Sequence, residues 1–194
     1  MNTAVHADAE GTRLGMWLFL VTELVLFGGL FMAYAYQRQL HGAAFHVGGQ
    51  AMDARLGLTN TAVLITSSLT MALALEAARH GARGLSRAFQ GATLALGLAF
   101  LAIKAVEWSA KFHHGLRPGH PHLASLPPGE QAFFGLYFTL TGLHGLHVVA
   151  GLLVLGGILA LGKDRPLVLE CGGLYWHLVD IVWIFLLPLF YLAA

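Results

Sequence analysis

His177 and Asp180 stand three residues apart inside an apolar run, Leu174-Tyr175-Trp176-His177-Leu178-Val179-Asp180-Ile181-Val182-Trp183-Ile184-Phe185-Leu186-Leu187, that is long enough to cross a bilayer. On a helix this spacing puts both on one face. An ionisable group at membrane depth costs roughly 2.5–3.5 kcal/mol on insertion scales, so that face is expected to meet a protein interior or a partner subunit. A second set has the same character. His144 and His147 share a face within Thr141-Gly142-Leu143-His144-Gly145-Leu146-His147, and Glu23 lies in Trp17-Leu18-Phe19-Leu20-Val21-Thr22-Glu23. Three histidines at membrane depth fit metal or haem ligation, because neutral imidazole is a common ligand. Hydrogen bonding between helices, for instance a histidine to Glu23, Glu170 or Asp180, is the preferred reading, because a haem-copper site needs several histidines spread over many helices and five spans are few for that. Glu23 reads either as a proton-handling acid or as a carboxyl bonded to a neighbouring helix.

Three further polar features call for less chemistry. Lys104 and Glu107 fall on one face near the end of a span, as an ion pair with Lys104 reaching toward the interface. Glu76 and Glu170 lie near span ends, where a carboxylate reaches water. Asn60, at the start of a span, suits a helix cap or a hydrogen bond between helices. No phosphate-cradling loop, Ser/His/Asp arrangement or zinc motif is present, so no catalytic or metal-ligating set is assigned to this chain.

The elements that must position these residues are transmembrane helices. Of the 194 residues 57% are hydrophobic and 11% charged, against about 25% charged in a soluble domain. The expected fold is all-α, a five-helix transmembrane bundle in one domain over 14–194, preceded by a cytoplasmic segment over 1–13. Its spans lie near 14–36, 58–78, 88–111, 131–161 and 173–193. The fourth is longer than a bilayer needs and is expected to tilt or project. Pro188 is expected to kink the fifth or to be compensated by neighbours. Arg13, Arg79, Arg83, Arg87, Lys163 and Arg165 fall on one side, and Arg38, Arg55, Lys111 and Arg117 on the other. By the positive-inside rule the N-terminus is then cytoplasmic and the C-terminus periplasmic or outside. A net charge of +1 leaves no basic footprint for nucleic acid. The single cysteine, Cys171, excludes an internal disulfide. The polar first eleven residues lack the pattern of a removable signal peptide.

Five stretches in order resemble subunit III of the haem-copper oxidases, the cytochrome c oxidase subunit III family. They are the segment ending in Glu23, Leu58-Thr59-Asn60-Thr61-Ala62-Val63-Leu64, Glu107-Trp108, the His144/His147 segment and the His177/Asp180 segment. The resemblance implies a short bacterial form that lacks the two leading spans of the larger members. It identifies Glu23 with the family's carbodiimide-reactive buried carboxyl. It implies a non-catalytic subunit in the bacterial cytoplasmic (inner) membrane, packed on subunit I alongside subunit II. Haem and copper then reside in subunit I and no cofactor in this chain, with bound phospholipid as a further expectation. The implied role is to stabilise subunit I and support proton uptake while the complex reduces oxygen. Glu23 points to the cytochrome c oxidase type; a quinol oxidase subunit III or an accessory subunit of nitric oxide reductase is the alternative. Two other classes compete: a small cytochrome b using His144 or His147 with His177, and a proton conductor built on Glu23 and Asp180.

Overall fold

The computed structural model describes residues 2–162 and 165–192, with side chains from Glu10 onward. Lys163 of the basic loop set, and the last residue of the expected fifth span, therefore lie outside the described residues. The described chain is helical throughout its regular structure: α1 (Asn2–Leu40), α2 (Gly42–Gln50), α3 (Ala54–Arg79), α4 (Arg83–His113), α5 (Pro121–Ser125), α6 (Pro128–Ala160) and α7 (Pro166–Leu187), extended by a π turn over Pro188–Leu192. Five of these, α1, α3, α4, α6 and α7 with its π turn, are long and apolar enough to cross a membrane.

Local chemistry sets the ends. The Asp53 side chain accepts hydrogen bonds from the Arg55 and Leu56 backbone N–H groups and starts α3. Proline occupies the first turn of α5, α6 and α7, where a missing N–H leaves nothing unpaired. Gly81 and Gly115 follow α3 and α4 with φ of 75° and 74°, a left-handed turn that closes a helix. The helices outrun the apolar windows because their polar ends continue the same hydrogen-bond ladder. α1 thus already includes most of the segment expected to precede the first span. At Pro188 the ladder loses a donor, and the chain widens into the π turn.

α7 is the hub, packing on α1, α3 and α6, while α3 pairs most closely with α4. In its most apolar stretch 61% of α7 is buried, against 11% for α1, which makes α1 the peripheral span. Between α3 and α4 runs a polar seam. Ser86 donates to the Ala74 carbonyl at 2.8 Å, and the Thr70 and Thr93 hydroxyls meet at 2.7 Å. Trp176, fully buried, donates from Nε1 to Ser67 at 2.9 Å, and Trp183 donates to Thr61 at 3.0 Å. These two tryptophans are core residues rather than members of an interfacial belt. At one end of the bundle Arg13 grips Glu170 with two bonds of 3.1 Å, and Arg79 lies 3.6 Å from the same carboxylate. The start of α1, the end of α3 and the start of α7 therefore share one side.

Candidate functional site

The polar residues at membrane depth form three separate groups. The first joins α4, α6 and the π turn. Lys104 and Glu107, one helical turn apart, are 5% and 3% exposed and pair at 3.0 Å. The Lys104 ammonium donates to Glu107, to the Tyr137 hydroxyl at 3.1 Å and to the Tyr191 hydroxyl. Both tyrosines pass their own hydrogen on to Glu107, Tyr137 at 2.6 Å and Tyr191 at 2.7 Å. All three ammonium hydrogens and both hydroxyl hydrogens are thus used, which is the condition under which a buried ion pair is tolerated. The Tyr137 and Trp183 rings, 4.8 and 5.1 Å from the Lys104 nitrogen, add aromatic faces to the cation's surroundings. Lys104 consequently turns inward and does not reach for the interface; three hydrogen-bond partners inside the bundle outcompete water. The neighbouring Lys111 also turns in and donates to the Ala51 carbonyl at 3.2 Å.

The second group links α1 to α6. His147 lies with Nε2 2.8 Å from the Glu23 carboxyl and Nδ1 2.8 Å from the Leu143 carbonyl. A carbonyl only accepts, so Nδ1 carries the hydrogen, and Nε2 and Glu23 share one proton between them. The pair is electrically neutral overall whichever atom holds it. Tyr175 donates to the His147 carbonyl at 3.0 Å, bringing α7 against the same point. His144, one turn earlier on α6, takes no part in this. It is 1% exposed, lies 5.5 Å from the Phe100 ring and 5.3 Å from Trp183, and neither ring nitrogen has a hydrogen-bond partner among the described residues.

The third group lies in a groove between α3 and α7. His177 Nδ1 bonds the Ser68 hydroxyl at 2.6 Å. Asp180 lines the same groove, with the Ser68 hydroxyl beside its carboxyl. The two residues thus share a face without pairing to each other. Asn60 is fully buried within α3, seven residues past the Asp53 cap; it is not a cap, and its amide has no partner among the described residues. Glu170 belongs to the arginine cluster at the bundle end, and Glu76 bonds to Arg79 and His80 beside it.

Among the described residues no three His, Cys, Asp or Glu side chains converge as metal ligands. His144, His147 and His177 are held in three different places: an aromatic wall, the Glu23 pair and the Ser68 bond. Tyr137, Tyr191 and Ser68 are the participants that sequence reasoning missed. Tyr137 was within reach, since a buried tyrosine in an apolar run must find a partner for its hydroxyl. Tyr191 and Ser68 depend on register between helices, which one sequence does not display.

The sequence that builds this arrangement matches a known family along its length. The family model for cytochrome c oxidase subunit III aligns with residues 2–194. The chain is 37% identical over 195 residues to a protein of Pseudomonas aeruginosa named cytochrome bo(3) ubiquinol oxidase subunit 3, covering 97% of this chain and 88% of that one. It is 31% identical over 196 residues to cytochrome c oxidase subunit 3 of Bacillus subtilis, covering 98% and 90%. It also matches, at 29% over 193 residues, a protein of Aeropyrum pernix named heme-copper oxidase subunit I+III, covering 93% of this chain and 22% of that longer polypeptide. With five apolar spans, buried polar bonds from helix to helix and a family match along its whole length, this chain belongs to the cytochrome c oxidase subunit III family.

Proposed function

We propose that this chain is the non-catalytic subunit III of a respiratory terminal oxidase, packed against subunit I, which carries haem and copper, with subunit II in the same complex. The family match over residues 2–194 carries the reading. The geometry supports it, because the ionisable groups at membrane depth form helix-to-helix bonds instead of converging on one reacting centre. The relative that joins subunits I and III in one polypeptide supports subunit I as the neighbour. A small cytochrome b fits less well: His144 is walled by Phe100 and Trp183, and His147 and His177 already spend ring nitrogens on protein partners.

The whole set of spans acts as one membrane domain of the bacterial inner membrane. The end that gathers Arg13, Arg79 and Glu170, with Arg83, Arg87 and Arg165, faces the cytoplasm under the positive-inside rule, and the π-turn end faces out. Relatives named for ubiquinol and for cytochrome c both match at similar length, so the role proposed is the one common to both: holding subunit I and sustaining proton uptake during turnover. Glu23 serves that role as the partner of His147, and phospholipid fills the apolar groove of α1, α6 and α7 near Met16, Val154 and Cys171.

The test is purification from native membranes in mild detergent. The expected result is co-purification with a large haem-bearing chain, and a colourless polypeptide once this one is separated. A haem spectrum that stays with this chain alone overturns the reading.

A further inference from the structure

We infer that the cavity between the α3–α4 and α6–α7 turns, where Arg83, Arg87 and Arg165 converge, binds a phosphate-bearing anion. The inference goes beyond the role proposed above and needs only the membrane bundle. The cavity holds about 350 Å³. Gly81 and Gly162, with φ of 75° and 60°, turn the chain at its two sides. Arg83 and Arg87 stand about one helical turn apart on α4, and Arg165 ends the second turn just before Pro166 opens α7. Arg83 and Arg165 are exposed and make no hydrogen bond or ion pair to the described residues. Arg87 is engaged within the chain and lies over the second turn, its Nη2 3.2 Å from where a Cβ on Gly162 would stand.

Arg83 and Arg165 find no counter-charge among the described residues. Like charges four residues apart on a helix, as Arg83 and Arg87 are, repel. No acidic side chain lines the cavity among the described residues, and the two acids at this end of the bundle, Glu76 and Glu170, are held by Arg13, Arg79 and His80. Lys163 and Asp164, which complete the α6–α7 turn outside the described residues, carry opposite charges and leave the balance unchanged. The positive-inside rule accounts for arginine at one end of the bundle, but not for three guanidinium groups around one cavity. α4 and α7 both start here without a side-chain cap, so their first-turn N–H groups add to the positive field that the arginines set up. An anion resolves the arrangement. The guanidinium group is planar and bonds phosphate through two N–H groups at once. The volume is that of a small-ligand site rather than of a docking face for another protein. Two sources offer this chemistry at a membrane boundary, the headgroup of an anionic phospholipid and free phosphate.

The test uses the complete complex that holds this chain, in nanodiscs of phosphatidylcholine. One arm titrates in phosphatidylglycerol and counts the lipid on this chain by native mass spectrometry; the other dialyses the complex against labelled inorganic phosphate. Binding of phosphatidylglycerol alone assigns the cavity to a lipid headgroup, binding of phosphate alone assigns it to the free anion, and binding of both supports the inference equally. Arg83→Gln combined with Arg165→Gln is expected to weaken binding about thirtyfold, as the loss of two basic contacts to an anionic group implies. Arg117→Gln, at an exposed position beyond the far end of α4, is expected to leave binding unchanged. A measurement on the unaltered chain stands beside the variants: either anion is expected to slow phenylglyoxal modification of Arg83 and Arg165 several-fold, and not that of Arg117. The inference is overturned if neither anion binds, if the double variant binds as the wild type does, if Arg117→Gln weakens binding as much, or if Arg83 and Arg165 gain no protection.

Discussion

At the scale of single residues, the Lys104–Glu107 network makes the sharpest forecast. Glu107→Gln leaves a buried ammonium without its counter-charge and is expected to destabilise the chain by about 3–5 kcal/mol. The measurement is thermal unfolding in detergent. Lys104→Met combined with Glu107→Gln removes both charges and is expected to recover most of that loss. A double variant as unstable as Glu107→Gln alone would contradict the pairing described here. The Glu23–His147 pair predicts a milder series. Glu23→Gln keeps a hydrogen-bonding partner for Nε2 and leaves assembly intact, with a shorter working lifetime of the oxidase during turnover. Glu23→Ala strands the imidazole and costs about 1–3 kcal/mol. An oxidase with Glu23→Gln whose lifetime and proton uptake equal the wild type's would reduce Glu23 to a structural tie. Spacing made part of this legible. Three residues put Lys104 with Glu107 and His177 beside Asp180, because a helix brings such neighbours together whatever surrounds it. Which way a long side chain turns was not legible: Lys104 has the stem to snorkel, and only the two tyrosine hydroxyls, 33 and 87 residues away in sequence, decide that it does not.

At the scale of helices, close approach is controlled by a few glycines. A Cβ on Gly97 of α4 would sit 2.8 Å from Leu152 of α6 and 2.8 Å from Trp176 of α7, whereas one on Gly91, also in α4, meets nothing within 4 Å. Gly97→Leu is therefore expected to force α4 away from α6 and α7 and to destabilise the bundle by about 1–3 kcal/mol or more. Gly91→Ala is expected to leave the unfolding temperature within a degree or two of wild type, the usual behaviour of an uncrowded surface change. The five long helices were readable because about 20 apolar residues in a row have few other stable solutions. Their ends were less so. The polar residues that carry α1 back to Asn2 look like a loop in any hydropathy window, although they extend the same ladder. The nine-residue α2 and the five-residue α5 are too short to carry a periodic signal, and the polar histidines in and around them, His41, His46, His120 and His122, give no apolar stripe to reveal a helix.

For the whole molecule, the exterior matters as much as the interior. Most of α1 and one side of every other span present leucine, valine, isoleucine and phenylalanine outward, the surface of a protein solvated by lipid and by partner spans rather than by water. The family could be read in the sequence because its short polar motifs recur in order; the identity of the neighbour at each face could not, because a single chain records its own bonds and not those made across a contact. The π turn adds a consequence for biogenesis. Tyr191 lies in the last described segment of the chain, yet its hydroxyl joins Lys104 and Glu107, which are inserted much earlier, and the Tyr34 hydroxyl reaches across from α1 to the Leu189 carbonyl in the same turn. Four spans in the bilayer therefore hold a charged pair whose hydrogen-bonding set is incomplete, and only arrival of the last one closes it. A chain ending at Leu187 is expected to insert but to be cleared before it accumulates, which pulse-chase labelling would show as a half-life several-fold shorter than that of the full chain. Such a bond set ties the stability of a buried charge pair to the presence of the last turn of the chain.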